Sequence, residues 1–228
     1  MVTVAIIGPD GAGKSAVTQR LEHETLPAPV KRIYMGVNLE ASSLMLPTTR
    51  LALALKTARG RRPDMVAPSE PTSQPSGGPA RRLLKGGAGV VRLVLWLAEE
   101  WFRQLVAAYH VRRGKIVVFD RHFYADYFHV DAAGTGRRSL SARVHGHVLR
   151  TLYPKPDLVI CLDAPGEVLF ARKHEASVEW LDRRRAQYLQ LADEVPHFLV
   201  VDADRPLDAV TRDVVIAISE FFEKRQLT

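Results

Sequence analysis

Apolar and polar positions along the 228-residue chain fall into two alternating kinds of run. Val2 to Ile7 is short, nearly all apolar and rich in β-branched side chains, the pattern of a strand covered on both faces. Ile116 to Phe119, Leu158 to Leu162 and Phe198 to Val201 repeat it, and Val30 to Met35, ending at Gly36, reads as a further strand. Between these runs the spacing turns helical. It predicts helices from Ser15 to Leu21, Ser43 to Ala58, Ser141 to Leu152 and Leu207 to Lys224, and a basic helical stretch from Val168 to Leu191 broken near Ser177. The strongest amphipathic pattern lies between Val90 and Val111, where Val90, Val91, Val94, Leu97, Trp101, Leu105 and Ala108 share one broad face. Trp96 and Trp101 read as packing residues there. Strands alternating with helices predict an α/β fold, a parallel sheet covered by helices on both faces.

The length suits a single domain over residues 1–228, with enough chain to spare for an insertion. Gly60 to Gly87 supplies one: dense in Pro, Ser and Gly and poor in large apolar side chains, it reads as a mobile loop that cannot offset its own ordering entropy. The basic segment over 169–191 reads as a lid. Hydrophobic content of 46% with 25% charged residues is ordinary for a globular protein. The lone Cys161 lies in an apolar run and reads as a buried core thiol. No apolar run approaches the ~20 residues of a membrane span, so the expectation is a cytoplasmic protein with no membrane partner. A formal charge of +7 suits an anionic ligand or a nucleic acid without choosing between them.

Candidate chemistry makes the choice. "GPDGAGKS", Gly8 to Ser15, meets the Gly-x-x-x-x-Gly-Lys-Ser phosphate-loop (Walker A) pattern in full, following an apolar strand and opening a helix. Asp10, Gly11, Ala12 and Gly13, with Lys14, Ser15 and Ala16 at the head of the helix, are expected to wrap the phosphates of ATP. Lys14 would reach the outer phosphates, and Ser15 would offer its hydroxyl to Mg²⁺. Ligands of open parallel sheets collect at the carboxyl ends of the strands, where later runs deliver Asp120 and Arg121, then Asp163, then Asp202. Asp120 could hold Mg²⁺ through water or accept a proton from a substrate; Arg121 would face the transferring phosphoryl group or an anionic substrate. Arg172, Lys173, Arg183, Arg184 and Arg185 form a positive cluster able to close over phosphates. Three consecutive arginines cannot share one helix face, so at most two of Arg183, Arg184 and Arg185 face the site. His122 and His129 stand near the Asp-Arg turn and could touch a substrate. His145 and His147 lack a matching third ligand, which predicts no metal site of their own.

Taken in order, "GPDGAGKS", the strand ending in Asp120-Arg121 with Phe123 and Tyr124 after it, "PDLVICLDAPGEVLFAR" and "RRRAQYLQLA" resemble the thymidylate kinases. The resemblance covers most of the chain and is weakest between Val37 and Leu95. It implies a nucleoside-monophosphate-kinase-like P-loop fold with ATP and Mg²⁺. By the same resemblance Asp120 and Arg121 act at the acceptor site, with Phe123 and Tyr124 beside them. Arg172 would lie near the adenine, and Arg183 and Arg185 in the lid. The acceptor side departs from the family. Its Arg-Glu-Pro motif after the second strand is replaced by Tyr34-Met-Gly-Val-Asn-Leu-Glu40. Its phosphate-gripping arginine in the long helix falls on or near Glu99, with Arg103 one turn on as a substitute.

These readings converge on a small-molecule kinase that passes the γ-phosphoryl group of ATP to a nucleotide, a nucleoside or a related acceptor such as a sugar-like alcohol. The alternative is a P-loop ATPase or GTPase that acts as a switch or a nucleic-acid module. "DAPG" (Asp163 to Gly166) comes too late for a GTPase motif, and no Asn-Lys-x-Asp follows. No basic and aromatic stripe suggests a nucleic-acid partner. The helix from Val90 could expose a face for a homodimer.

Overall fold

The computed structural model describes residues 2–36, 44–47, 49–51, 79–122, 144, 146–148, 151–174 and 176–227. Five short strands carry the sheet: β1 (Thr3–Ile7), β2 (Val30–Tyr34), β3 (Ile116–Asp120), β4 (Leu158–Asp163) and β5 (Phe198–Asp202). They pair in the order β2-β3-β1-β4-β5, every pair parallel. Helices α1 (Lys14–Leu21), α2 (Pro79–Arg112), α3 (Gly166–Arg172), α4 (Val178–Leu189) and α5 (Leu207–Gln226) surround it, and a 3₁₀ turn (Gln190–Asp193) follows α4.

The all-apolar strands have their explanation in the two faces of this sheet. Ala5, Ile7, Val117, Phe119, Val159 and Cys161 point to one side, where Ala107 of α2, Tyr188 of α4 and Leu191 close a core over them. Val4, Ile6, Val118, Ile160 and Leu162 point to the other, against Val17 and Leu21 of α1, Leu169 of α3 and Val210, Val214 and Ile218 of α5. A strand that feeds two cores cannot alternate apolar with polar, so period two is absent from its hydropathy.

Several boundaries differ from the sequence reading. The long helix starts at Pro79 rather than Val90, so 79–87 of the expected loop is helical. Pro79 fits the first helical position, and Ala80, Arg81, Arg82, Leu83, Leu84 and Lys85 are good helix formers; the glycines at 86, 87 and 89 masked that signal. The rest of the loop, 60–78, lies outside the described residues. Each strand of β3, β4 and β5 runs one residue further, to Asp120, Asp163 and Asp202, because the neighbouring strand continues the ladder beyond the last apolar side chain. The basic stretch does break before Ser177: α3 ends at Arg172, and Ser177 caps α4 by accepting a hydrogen bond from the Trp180 N–H. Of the helices read over Ser43–Ala58 and Ser141–Leu152, only parts are described. Among the described residues no helix is long and apolar enough to cross a membrane.

Candidate active site

β1 lies between β3 and β4, so chain connections leave it in opposite directions and open a crevice at its carboxyl end. The glycine-rich loop fills this crevice. Gly8 must be glycine: its φ is +140°, and a Cβ there would lie 2.3 Å from the carbonyl oxygen of Leu162 at the end of β4. A Cβ on Gly11 would come within 2.7 Å of the Leu169 carbonyl oxygen, so α3 packs directly on the loop backbone. Gly13, with φ +85°, heads α1 without a capping side chain, which leaves the leading N–H groups of the helix for an anion at its positive end.

Lys14 is buried, and its ammonium donates to the carbonyls of Gly8 (2.7 Å) and Pro9 (2.6 Å). Asp10 stands 3.9 Å from the same nitrogen and accepts from Arg121 Nη2 at 2.7 Å. Burial raises the Asp10 carboxyl, but Lys14 and Arg121 outweigh it and hold the group below its ordinary range. Arg121 is the one non-glycine residue with positive φ (67°) among the described residues. Its backbone N–H is tied to the Ile6 carbonyl (3.2 Å) and its guanidinium to Asp10, so the strained turn is held at both ends.

Ser15 donates from Oγ to Asp120 Oδ1 at 3.3 Å, and Arg32 Nη1 lies 3.8 Å from Asp120 Oδ2. A hydroxyl and a carboxylate side by side at the head of α1 are hard oxygen donors of the kind Mg²⁺ takes. Arg32 is a residue that sequence reasoning missed. Its only signal was one of two adjacent cations, Lys31 and Arg32, inside a short strand, and its register opposite Val118, two positions before Asp120, gave it meaning.

The basic segment divides its arginines among three tasks. Arg185 makes a two-pronged ion pair with Asp163, Nε to Oδ1 at 2.5 Å and Nη2 to Oδ2 at 2.8 Å. Arg184 turns the other way, onto the Tyr188 ring. Arg183 donates to the Glu179 carbonyl and, with Asp10, Lys173, Ser177 and Trp180, lines a cleft of about 450 Å³ between the loop and α4. Two of the three therefore lie on the loop's side, within the limit set by helix geometry. Arg172 reaches across to β5's end, donating to the Ala203 carbonyl at 2.9 Å. Asp202 does not join the site; it accepts from the Asp204 N–H and pairs with Arg205 in its own turn.

Glu99 and Arg103, the two residues expected on the acceptor side, lie inside the protein. Both are buried, Arg103 with 0% of its surface exposed, and they form a 3.2 Å ion pair. Arg103 also donates to the carbonyls of Tyr34 (3.4 Å) and Gly36 (3.3 Å). Glu99 Oε2 accepts from the Leu46 N–H (3.0 Å) and the Thr49 hydroxyl (2.8 Å). Burial decides this: a charge lodged in the core persists only when paired and hydrogen-bonded, which commits both side chains to the protein. His122 is buried between Phe119 and Tyr153, and that burial takes its pKa down to about 3, so the ring is neutral. Burial pushes Cys161 up to about 12, which leaves it an inert core thiol. Phe123, Tyr124 and His129 lie outside the described residues.

Comparison with known proteins places the chain among relatives of one kind. The family model described as thymidylate kinase matches residues 48–214, beginning beyond the phosphate loop. A thymidylate kinase from Pseudoalteromonas translucida is 26% identical over 198 residues, which cover 78% of this chain and 92% of that protein. A probable thymidylate kinase from Archaeoglobus fulgidus is 28% identical over 123 residues, covering 51% of this chain and 59% of its own. Among solved structures, the deoxyadenosine kinase from M. mycoides with bound dATP superposes with a TM-score of 0.52 at 15% identity, over 96% of this chain and 99% of that one. At that identity the likeness concerns the fold.

Proposed function

Since the chain belongs to the thymidylate kinase family, we propose that it transfers the γ-phosphoryl group of ATP to a nucleotide, a nucleoside or a related small acceptor. The observation that supports this most is the convergence of Lys14, Ser15, Asp120 and the Asp10–Arg121 pair at the carboxyl end of β1 and β3. In this reading Asp10, Gly11, Ala12, Gly13, Ser15 and Ala16 hold the phosphates, and Lys14 reaches their outer oxygens. Arg121 faces the phosphoryl group in transit. Ser15 and Asp120 would hold Mg²⁺, which when bound offsets charge on the phosphate oxygens. Arg172 borders the adenine. Arg183 and Arg185 close over the phosphates, Arg185 leaving Asp163 or bridging from it. Catalysis comes from positioning and charge stabilisation, as in phosphoryl transfer generally. A cytoplasmic location belongs to the same reading.

The test is a coupled ADP-release assay over nucleosides, nucleoside monophosphates and sugars. One acceptor class should raise ADP formation well above the rate with ATP alone, and the phosphorylated product should be recoverable. Steady hydrolysis stimulated by DNA or RNA, with no phosphorylated acceptor, would favour the ATPase reading instead.

A second copy is the macromolecular partner proposed for this chain. Val94, Trp101, Leu105 and Tyr109 are exposed on α2 at spacings that place them on one helix face. An apolar stripe of this kind on a charged, water-soluble surface is the mark of an interface.

A further inference from the structure

"DAPG", Asp163 to Gly166, comes too late in the chain for a GTPase motif, and its place in the fold gives it a different task. Asp163 closes β4 and Gly166 opens α3. Both ends of this turn grip α4. The Asp163 carboxylate accepts from Arg185 with both oxygens, at 2.5 and 2.8 Å. Gly166 donates its N–H to Oδ1 of Asp182 at 3.0 Å. Asp182 and Arg185 are three residues apart and so share one face of α4. A Cβ on Gly166 would lie 2.6 Å from the same Asp182 oxygen, so the close approach of backbone to carboxylate depends on glycine.

Apolar packing fixes α4 toward both of its ends. Leu181 is buried with Leu169 of α3 in one core, and Tyr188 is buried with Val159 and Cys161 in the other. Between these anchors the two polar contacts set the rotation of α4 about its axis, and that rotation decides where three consecutive arginines point. Arg183 is left on the cleft beside Asp10 and Lys173, and Arg184 is turned onto Tyr188. Arg185 is held next to the phosphate loop, because Leu162, the residue before Asp163, is the one whose carbonyl oxygen faces Gly8. A guanidinium is planar, and the fork to Asp163 uses only Nε and Nη2. The Nη1 edge points away from the carboxylate. An anion can take that edge without breaking the fork.

We infer that "DAPG" is a clasp that holds α4 in its working position before any nucleotide arrives, and that Asp163 is a positioning residue presenting Arg185 to the phosphates. The second half rests on the kinase reading above and deepens it: Arg185 bridges from Asp163 to a phosphate oxygen and does not leave its partner. Ordering a long side chain beforehand removes that cost from the binding step. A cation already fixed where negative charge gathers needs no reorganisation during transfer.

Amide hydrogen exchange on the nucleotide-free protein reads the clasp, and fluorescence titration with the magnesium complex of a non-hydrolysable ATP analogue reads its effect on binding. The α4 amides from Leu181 to Leu189 should be protected without nucleotide and should change by less than about 3-fold when the analogue is added. Asp163→Asn should speed their exchange and weaken analogue binding, each by about 10-fold, the scale of one lost charge-assisted hydrogen bond. Arg185→Gln should weaken binding by as much. In that background Asp163→Asn should add less than about 2-fold, because it acts through the arginine. Free exchange of α4 until the analogue binds would mean a helix that closes on its ligand. Tighter binding by Asp163→Asn would mean a carboxylate that competes with phosphate for Arg185. Either result overturns the inference and leaves the kinase reading standing. No analogue binding by the native protein removes the kinase reading, and the exchange data still decide the clasp. Gly166→Ala is the second variant: it displaces only the end of the Asp182 side chain, so the fold survives, and α4 exchange should rise. Unchanged exchange in both variants sinks the clasp.

Discussion

Lys14 and His122 are two buried basic side chains, one following β1 and the other β3, and their surroundings differ. The Lys14 ammonium donates to the main-chain carbonyls of Gly8 and Pro9, which stand where water would otherwise solvate it. Lys14→Ala should cost at least about 100-fold in kcat, the usual penalty for removing one preorganised donor at a developing charge. Circular dichroism should find the variant folded, and near-normal turnover would remove the loop from the mechanism. His122 loses its charge because Phe119 and Tyr153 offer it aromatic edges and faces instead. With a folded pKa of about 3 against an ordinary 6.5, the unfolded chain binds the proton throughout that window and the folded chain does not. Stability therefore rises with pH between those values, by at most about 1.4 kcal/mol per unit, and this contribution is complete above pH ~6.5. Urea titrations from pH 4.5 to 7 should give a shallower acid limb for His122→Phe than for the native protein. An unchanged slope would mean that His122 is solvated.

At the scale of single elements, the loop between β1 and α1 was legible in full from "GPDGAGKS", since every requirement it meets is local: tight turns, a helix start, a lysine one residue after the last glycine. What the motif did not reveal is why each glycine is needed. Gly8 is excluded from any side chain by β4 and Gly11 by α3, so the loop's shape is enforced by elements over 150 residues away. Gly8→Ala should lower the melting temperature and weaken ATP binding together, with a stability loss of about 2 kcal/mol or more from positive φ and the clash with Leu162 combined. A variant with native stability that has lost ATP binding would show that the clash is relieved at the loop's expense. The start of α2 teaches the converse. Its glycines and the Pro-rich stretch before it argued for a loop, and the propensity of Ala80 to Lys85 won instead.

The whole molecule sets the strand order, and the strand order sets the site. An exposed face on α2 bears on the proposed assembly at the same scale: Leu105→Glu, in the middle of the Val94–Tyr109 stripe, should convert a dimer to a monomer in sedimentation analysis while leaving the unfolding free energy of the protomer within about 1 kcal/mol of native. A native protein that sediments as a monomer would rule out the second copy. The sequence alone determined the parallel sheet covered on both faces, through hydropathy, the phosphate loop, through its glycine-rich motif, and the arrival of Asp120, Arg121 and Asp163 at one edge, because periodicity and turn chemistry act over a few residues. Only the tertiary structure decided that Asp10 is tied to Arg121, that Asp163 meets Arg185, that Arg32 approaches Asp120, and that Glu99 and Arg103 neutralise each other inside the core. Each of these pairings except Glu99–Arg103 joins segments brought together by the order β2-β3-β1-β4-β5. Even for that pair, four residues apart, one turn of helix says two side chains can meet and says nothing of which way the pair faces. That direction is settled by burial, and burial belongs to the packed molecule.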